Sequence, residues 1–306
     1  MLEHVDITGA VDMHAHCRPS LYERRVDGYE LASLAAAAGM DAVVMKSHYL
    51  PTVYGVPYIE QLLDRDGVSD FTVLGSVVLN YCNGGYNPNM VRTALDMGAA
   101  VVWHPTQDSR RHGEVLGLGD YQMHDRTDEA EGPTGYEGKD GIYALDGDGE
   151  LRPDVRTCLE MIAERDAVLA MGHLYFREAR ALAEYANELG HDKVVIDHPR
   201  FPATDFSIEQ QRELAALGAT LAFPAAAVMP GPTPGRPWLS VVELVDNIEA
   251  LGVEHCMVTS DLGQPGRPDA PDGLRMLGEQ LIDAGLDHGA VREMIDERPS
   301  RLLGLE

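Results

Sequence analysis

Three features of the 306-residue chain predict an α/β fold, and more narrowly a (β/α)8 or TIM barrel. Eight short apolar, β-branched or alanine-rich runs recur along it, the pattern of parallel strands covered on both faces. Helical stretches separate the runs, and many end at a glycine, the residue that closes a helix C-terminus in the left-handed conformation. No Gly-rich phosphate fingerprint follows the first run, which removes the main support for an open, doubly wound sheet. A single barrel domain over residues 1–306 accommodates the whole length.

In chain order, the first run is Ala10–His16. Val11 and Met13 alternate there with shorter or polar residues, so the segment reads as a strand, and His14 and His16, two apart, project from one face. A helix over Tyr29–Ala38 leads through Gly39 to the second run, Asp41–His48, which carries Lys46 and His48 near its end. The third run is Phe71–Asn80. Asn89–Met97 then forms a helix closed by Gly98, and the fourth run, Ala99–Thr106, ends in Trp103-His104-Pro105-Thr106. Ala167–Leu174 is the fifth, ending near His173. A helix over Phe176–Leu189 leads through Gly190 to the sixth, Lys193–Pro199, which carries His198. Ser207–Leu217 and Gly218 precede the seventh run, Ala219–Val228. Leu239–Leu251 and Gly252 precede the eighth, His255–Gly263, where Asp261 lies.

Two connections depart from this rhythm. Residues 107–152 are far longer than an ordinary βα loop and rich in Gly, Asp and Glu; segments of that length are usually functional lids or disordered. Within them, Ile142–Leu151 reads as a small hairpin around Asp146-Gly147-Asp148-Gly149. The insertion follows the fourth strand and is expected to lie over the barrel top. Pro230–Pro237, after the seventh strand, is a second and stiffer loop on the same face.

The net charge of −26 argues against a nucleic-acid backbone or an anionic membrane surface as partner. Lys46, Lys139 and Lys193 are the only lysines. Four cysteines, Cys17, Cys82, Cys158 and Cys256, have no paired spacing, which suits a reducing compartment. Neither a leader peptide nor an apolar membrane span is legible. A soluble, cytoplasmic protein acting on a small molecule is expected, with a homo-oligomer open as its assembly.

Parallel barrel strands bring their C-terminal ends to one mouth, where barrel enzymes carry their sites. His14, His16, Lys46, His48, His104, His173, His198 and Asp261 all fall at such ends. Histidines and a carboxylate converging on one rim point to a metal centre. Arg18 and Asn80 fall near the same mouth, where they are candidates to bind substrate anions or amides. Asp12 is a candidate to support a ligand imidazole from behind, and Cys17 is assigned to packing. His112 and His124 lie in the insertion and are expected to face solvent. His4, His191, His255 and His288 fall at the opposite end of the barrel.

The HxH pair on strand one, single histidines ending strands five and six, and Asp261 ending strand eight resemble the amidohydrolase superfamily. Arg298–Leu305 is similar to its C-terminal helix. More narrowly, Met45–His48, Gly84–Pro88, Trp103–Thr106 and Thr259–Gln264 resemble an amidohydrolase-related group of unknown function. The resemblance implies that His14, His16 and Asp261 bind a first metal. His173 and His198 would bind a second, or one of them would complete a mononuclear site. Asp261 would also accept the proton of the nucleophilic water. In the best-known binuclear members a carboxylated lysine on strand four bridges the ions, whereas strand four here ends in His104. The candidate bridge is Lys46 on strand two, with hydrogen bonding to a substrate carboxylate or phosphate as its alternative. His48 is either a ligand or a group that polarises the substrate, and His104 a substrate-binding candidate. One or two divalent ions are implied, zinc first, with manganese, nickel or iron also suited to the ligands. The implied activity is hydrolysis of an amide, ester, lactone or other C–N or C–O bond. The alternatives are a mononuclear decarboxylase or hydratase, and a non-catalytic metal-binding barrel.

Overall fold

The structure, a computed structural model, describes residues 5–119, 138–230 and 237–305. Strands β1 (Val11–His16) and β2 (Ala42–Lys46) are joined by helix α1 (Gly28–Ala37). Helix α2 (Val56–Arg65) leads to β3 (Thr72–Leu74) and β4 (Ser76–Val78), which are two halves of one barrel strand. The third run therefore breaks, and Gly75 is the reason. A Cβ there would stand 2.3 Å from Val53 Cα, so only glycine lets the backbones come this close. Helix α3 (Pro88–Asp96) and β5 (Val101–Trp103) follow.

The long insertion is more ordered than a bare lid. It opens with helix α4 (Arg110–Leu116). The expected hairpin is present as an antiparallel bridge between Leu145 and Leu151. Residues 120–137, including His124, lie outside the described residues, as do His4 and most of the Pro230–Pro237 loop. After helix α5 (Pro153–Glu164) the chain alternates regularly: β6 (Val168–Met171), α6 (Phe176–Glu188), β7 (Val194–Asp197), α7 (Ile208–Ala216), β8 (Thr220–Pro224), α8 (Val241–Leu251) and β9 (Cys256–Thr259). Capping boxes start α1 (Asp27 with Glu30), α7 (Ser207 with Gln210) and α8 (Ser240 with Glu243), each satisfying backbone donors that the first helical turn leaves open. Helix α9 (Ala270–Asp283) and two short terminal helices, α10 (His288–Arg292) and α11 (Arg298–Leu303), complete the chain.

Every neighbouring strand pair is parallel, in the orders β1-β2-β3 and β4-β5-β6-β7-β8-β9. The ring closes where the last strand meets the first: Asp261 N donates to His14 O and His16 N to Leu262 O, both at 2.7 Å. Alternation sorts the strand residues into two cores. Val44, Trp103, Ala170, Val195, Ala222 and Met257 fill the barrel interior, with Leu302 of α11 packed against them. Val43, Met45, Val102, Leu169, Ile196 and Val258 face the helix layer. Among the described residues no helix is long and apolar enough to cross a membrane.

Candidate metal centre

β1 delivers His14 and His16 through a break in its alternation. Val11 and Met13 face the barrel interior, whereas Ala10, Ala15 and Cys17 face the helix layer. Pairing with β2 slips between Asp12 and Ala15, a bulge that re-aims the side chains beyond it. Asp12 holds the bulge: its Oδ1 accepts from the backbone N–H groups of His14 and Ser260, each at 3.0 Å. It supports backbone, and the expectation that it props an imidazole is corrected. Asp197 does that instead.

His14 Nδ1 lies 3.0 Å from Asp197 Oδ1, and His16 Nδ1 lies 3.0 Å from the Lys46 carbonyl oxygen. Both oxygens only accept, so each Nδ1 donates and each Nε2 presents a lone pair to the mouth. His14 Nε2, His16 Nε2 and Asp261 Oδ1 form a nearly equilateral triangle, 3.1 to 3.2 Å on a side. Three lone-pair atoms this close repel one another unless positive charge lies among them. Ligands about 2.1 Å from one divalent ion stand roughly 3.0–3.4 Å apart in octahedral or tetrahedral geometry, so the triangle fits one ion. Burial works against the His14 imidazolium, but the Asp197 and Asp261 carboxylates outweigh it and raise its pKa to about 9. A proton on Nε2 and a metal ion thus compete for one place. Burial, then the Arg24 charge, keeps His16 well below the ordinary imidazole range. Burial alone would raise Asp261; His14 and His16 more than offset it and hold the carboxyl well below its usual range.

Lys46 completes a buried network beneath this triangle. Its Nζ is 3.0 Å from His14 Nε2, 3.1 Å from Asp197 Oδ2 and 4.8 Å from the centre of the Trp103 ring. Trp103 Nε1 donates to the same Asp197 oxygen at 3.2 Å. Beside it, His173 Nε2 and His198 Nε2 face each other at 3.3 Å, with His198 Nε2 3.5 Å from Asp197 Oδ2. His198 and Asp261 both adopt positive φ, 32° and 49°, sparsely populated values for residues other than glycine. His112 does not face solvent as expected. Helix α4 folds back so that Ser109, its N-cap, donates to the His173 carbonyl, and His112 Nδ1 stands 2.6 Å from His173 Nδ1.

A small pocket, a cavity of about 30 Å3, opens over the cluster. His16, Lys46, His48, His173, His198 and Asp261 line it, and His14 lies buried behind. His48 sits with its ring 4.9 Å from that of His16, its Nδ1 3.1 Å from Thr106 Oγ1. The other sequence candidates stand elsewhere. His104 follows Trp103, which faces the interior, so its own side chain turns to the helix layer; its Nδ1 is 2.8 Å from the Tyr86 hydroxyl. Asn80 is buried, donating to His48 O and Thr106 Oγ1 and accepting from Thr106 N, so it ties two mouth loops together. Arg18 pairs with Glu30 on the outside, with both side chains about half exposed. None of these three lines the pocket. Sequence reading missed Asp197, His112 and, on the pocket wall, Arg24, Phe201, Trp238, Gln264 and Arg267. Asp197 had a signal, since it alternates with interior-facing Val195. His112 sits on α4 inside the insertion, and the rest come from loops.

No curated protein matches the chain by sequence. Solved structures share its fold over nearly the full length. An amidohydrolase from Pseudomonas aeruginosa superposes with a TM-score of 0.63 at 11% identity, covering 97% of this chain and 95% of that one. A probable dipeptidase, PvdM, from the same organism gives 0.57 at 12% identity, covering 97% and 95%. An organophosphorus hydrolase from Deinococcus radiodurans gives 0.55 at 14% identity, covering 98% and 93%. The barrel fold is thus that of amidohydrolase structures. By sequence, the model of a family of unknown function (DUF6282) matches residues 9–222, and the chain belongs to that family.

Proposed function

We propose that the protein is a metal-dependent hydrolase that uses water to cleave an amide, ester, lactone or related bond of a small polar substrate. The observation that carries this reading is the triangle of His14 Nε2, His16 Nε2 and Asp261 Oδ1 at the floor of a pocket. It is the one such three-ligand group among the described residues. His14, His16 and Asp261 would hold the ion, with His173 and His198 placed for a second. A divalent ion held there would supply Lewis acidity, which brings the pKa of a water to about 7. Asp197 and the Lys46 carbonyl accept from the two Nδ1 atoms and so orient both imidazoles with Nε2 toward the ion. Asp261 has its other oxygen to take the attacking water's proton and return it to the leaving group. His48, kept neutral by burial and by the charges around it, donates from Nε2 to a substrate oxygen when Thr106 donates to its Nδ1. The enclosing walls, Phe201 and Trp238 among them, limit bulk water. The hydrolase and dipeptidase chemistry named for proteins of the same fold is consistent with this reading.

A mononuclear decarboxylase or hydratase is the second reading, favoured by Lys46 being held by Asp197 rather than standing free to bridge two ions. The test is metal content per chain by elemental analysis, with intact mass under gentle conditions and turnover of an amide, ester and lactone panel. Two ions with a mass excess of one carbon dioxide place a carboxylated Lys46 between them. One ion with hydrolysis supports a mononuclear hydrolase, and one ion without it moves the assignment to the second reading. No bound metal overturns both.

A further inference from the structure

Three buried histidines from three elements form a chain of ring contacts beside the triangle. His198 follows β7, His173 follows β6, and His112 comes from α4 of the insertion. His173 is held by its backbone on both sides. Its N–H donates to Pro105 O at 2.9 Å, an approach that Gly172 permits, since a Cβ there would stand 2.1 Å from that oxygen. Its carbonyl accepts from Ser109 Oγ, and the same oxygen of Ser109 accepts from His112 N at 3.0 Å. The insertion thus sets His112 against His173 through Ser109 as well as ring to ring. The two rings lie within 17° of parallel with centres 4.8 Å apart, yet their Nδ1 atoms are only 2.6 Å apart. They meet edge to edge, nitrogen to nitrogen, so one proton lies between them.

Which ring gives that proton follows from the far end of the chain. A neutral imidazole carries one ring proton. His198 Nδ1 is buried and meets no partner among the described residues, and a buried N–H without an acceptor is the less tolerated orphan. The His198 proton therefore belongs on Nε2, which faces His173 Nε2 at 3.3 Å. That contact leaves His173 Nε2 bare, puts the His173 proton on Nδ1 and makes His112 Nδ1 the acceptor. We propose that His112 is a positioning residue: it accepts from His173 Nδ1 and fixes the His173 ring with Nε2 bare, the tautomer a metal ligand needs. The ligand role rests on the hydrolase reading; the tautomer does not. The insertion then contributes to the centre through α4, and of the His173–His198 pair it is His173 that presents a lone pair.

The test is NMR of the chelator-treated chain labelled with nitrogen-15 histidine, in which two-bond couplings show which ring nitrogen carries the proton. Wild type is expected to show His173 protonated at Nδ1. His112→Asn offers its Oδ1 in place of Nδ1 and is expected to keep that tautomer. His112→Leu removes the acceptor and is expected to move the proton to Nε2. Zinc affinity, read by competition with a chelator, is expected to fall about 10- to 100-fold in His112→Leu and less than about tenfold in His112→Asn. A wild-type His173 protonated at Nε2 overturns the proposal, as does a tautomer that His112→Leu leaves unchanged. Zinc bound equally well by wild type and His112→Leu overturns it too. So does a His112→Asn that loses as much as His112→Leu, since the ring would then matter only as packing. Should His112→Leu fail to fold, the wild-type and His112→Asn spectra still decide. A wild type that shows the Nδ1 proton yet takes up no zinc supports the His112 assignment and overturns the hydrolase reading.

Discussion

Replacing Asp197 with Asn tests the network that holds the cluster. The change keeps shape and removes one buried charge. Asp197 Oδ1 accepts from His14 Nδ1, and Oδ2 accepts from Lys46 Nζ and Trp103 Nε1. An amide has one oxygen and one NH2, so either orientation faces a donor with a donor. With NH2 toward His14, the imidazole must give up its Nδ1 proton, and in the neutral ring that moves the proton to Nε2 and spoils the ligand. With NH2 toward Lys46, an ammonium that is 1% exposed loses its only ion-pair partner among the described residues. Breaking a buried pair on one side costs about 3–5 kcal/mol, and both side chains are too buried for solvent screening to discount it. With m about 3 kcal/mol/M for urea, the unfolding midpoint should fall by about 1 M or more. Metal affinity should fall about 10- to 100-fold, as for other groups that orient a ligand histidine. Urea denaturation of the metal-free protein and competition with a chelator measure the two effects. A midpoint within about 0.3 M of wild type together with unchanged metal affinity would refute the reasoning.

Asp261→Asn is expected to retain metal through His14 and His16 but to lose activity by about 10²- to 10⁴-fold, the size of general acid–base catalysis; steady-state kinetics beside metal analysis checks it. Gly263→Ala should open the seam between β9 and β1. Its φ is 137° and an added Cβ would stand 2.0 Å from His16 O, whereas Gly67→Ala, φ 82° with open space around it, should cost only about 1 kcal/mol. Thermal melts of the two variants separate contact from conformation, and equal melts would remove the seam argument. Burial lowers His104 from the usual 6.5 to about 3, so the unfolded chain takes up a proton that the folded chain refuses. From this residue alone, stability should be intact above about pH 6.5 and decline by about 1.4 kcal/mol per pH unit below it, down to about pH 3. His104→Gln should flatten that decline between about pH 7 and pH 5; an unaltered slope in urea titrations would count against a buried neutral His104.

Much of the barrel was legible because its signals are local. Alternating apolar runs and glycine-terminated helices lie within a few residues of one another, and helices α1, α3, α6, α7 and α8 start and stop within two residues of the expected bounds. The spacing of His14 and His16 likewise placed two imidazoles on one face without knowledge of their neighbours. What tertiary structure alone decided was which way each residue near a strand end turns. The bulge held by Asp12 puts Met13 and His14 both inside the barrel, and the inward Trp103 sends His104 outward. Arg18 lies beyond the end of β1, where alternation no longer governs, and it pairs with Glu30 on the outer surface. Period-two patterning fixes relative faces, but pairing with neighbours chooses between the two absolute ones. The inward register of Asp197 was local, but its partners and those of His112 had no local signature, because each is brought near only when eight strands close into a ring.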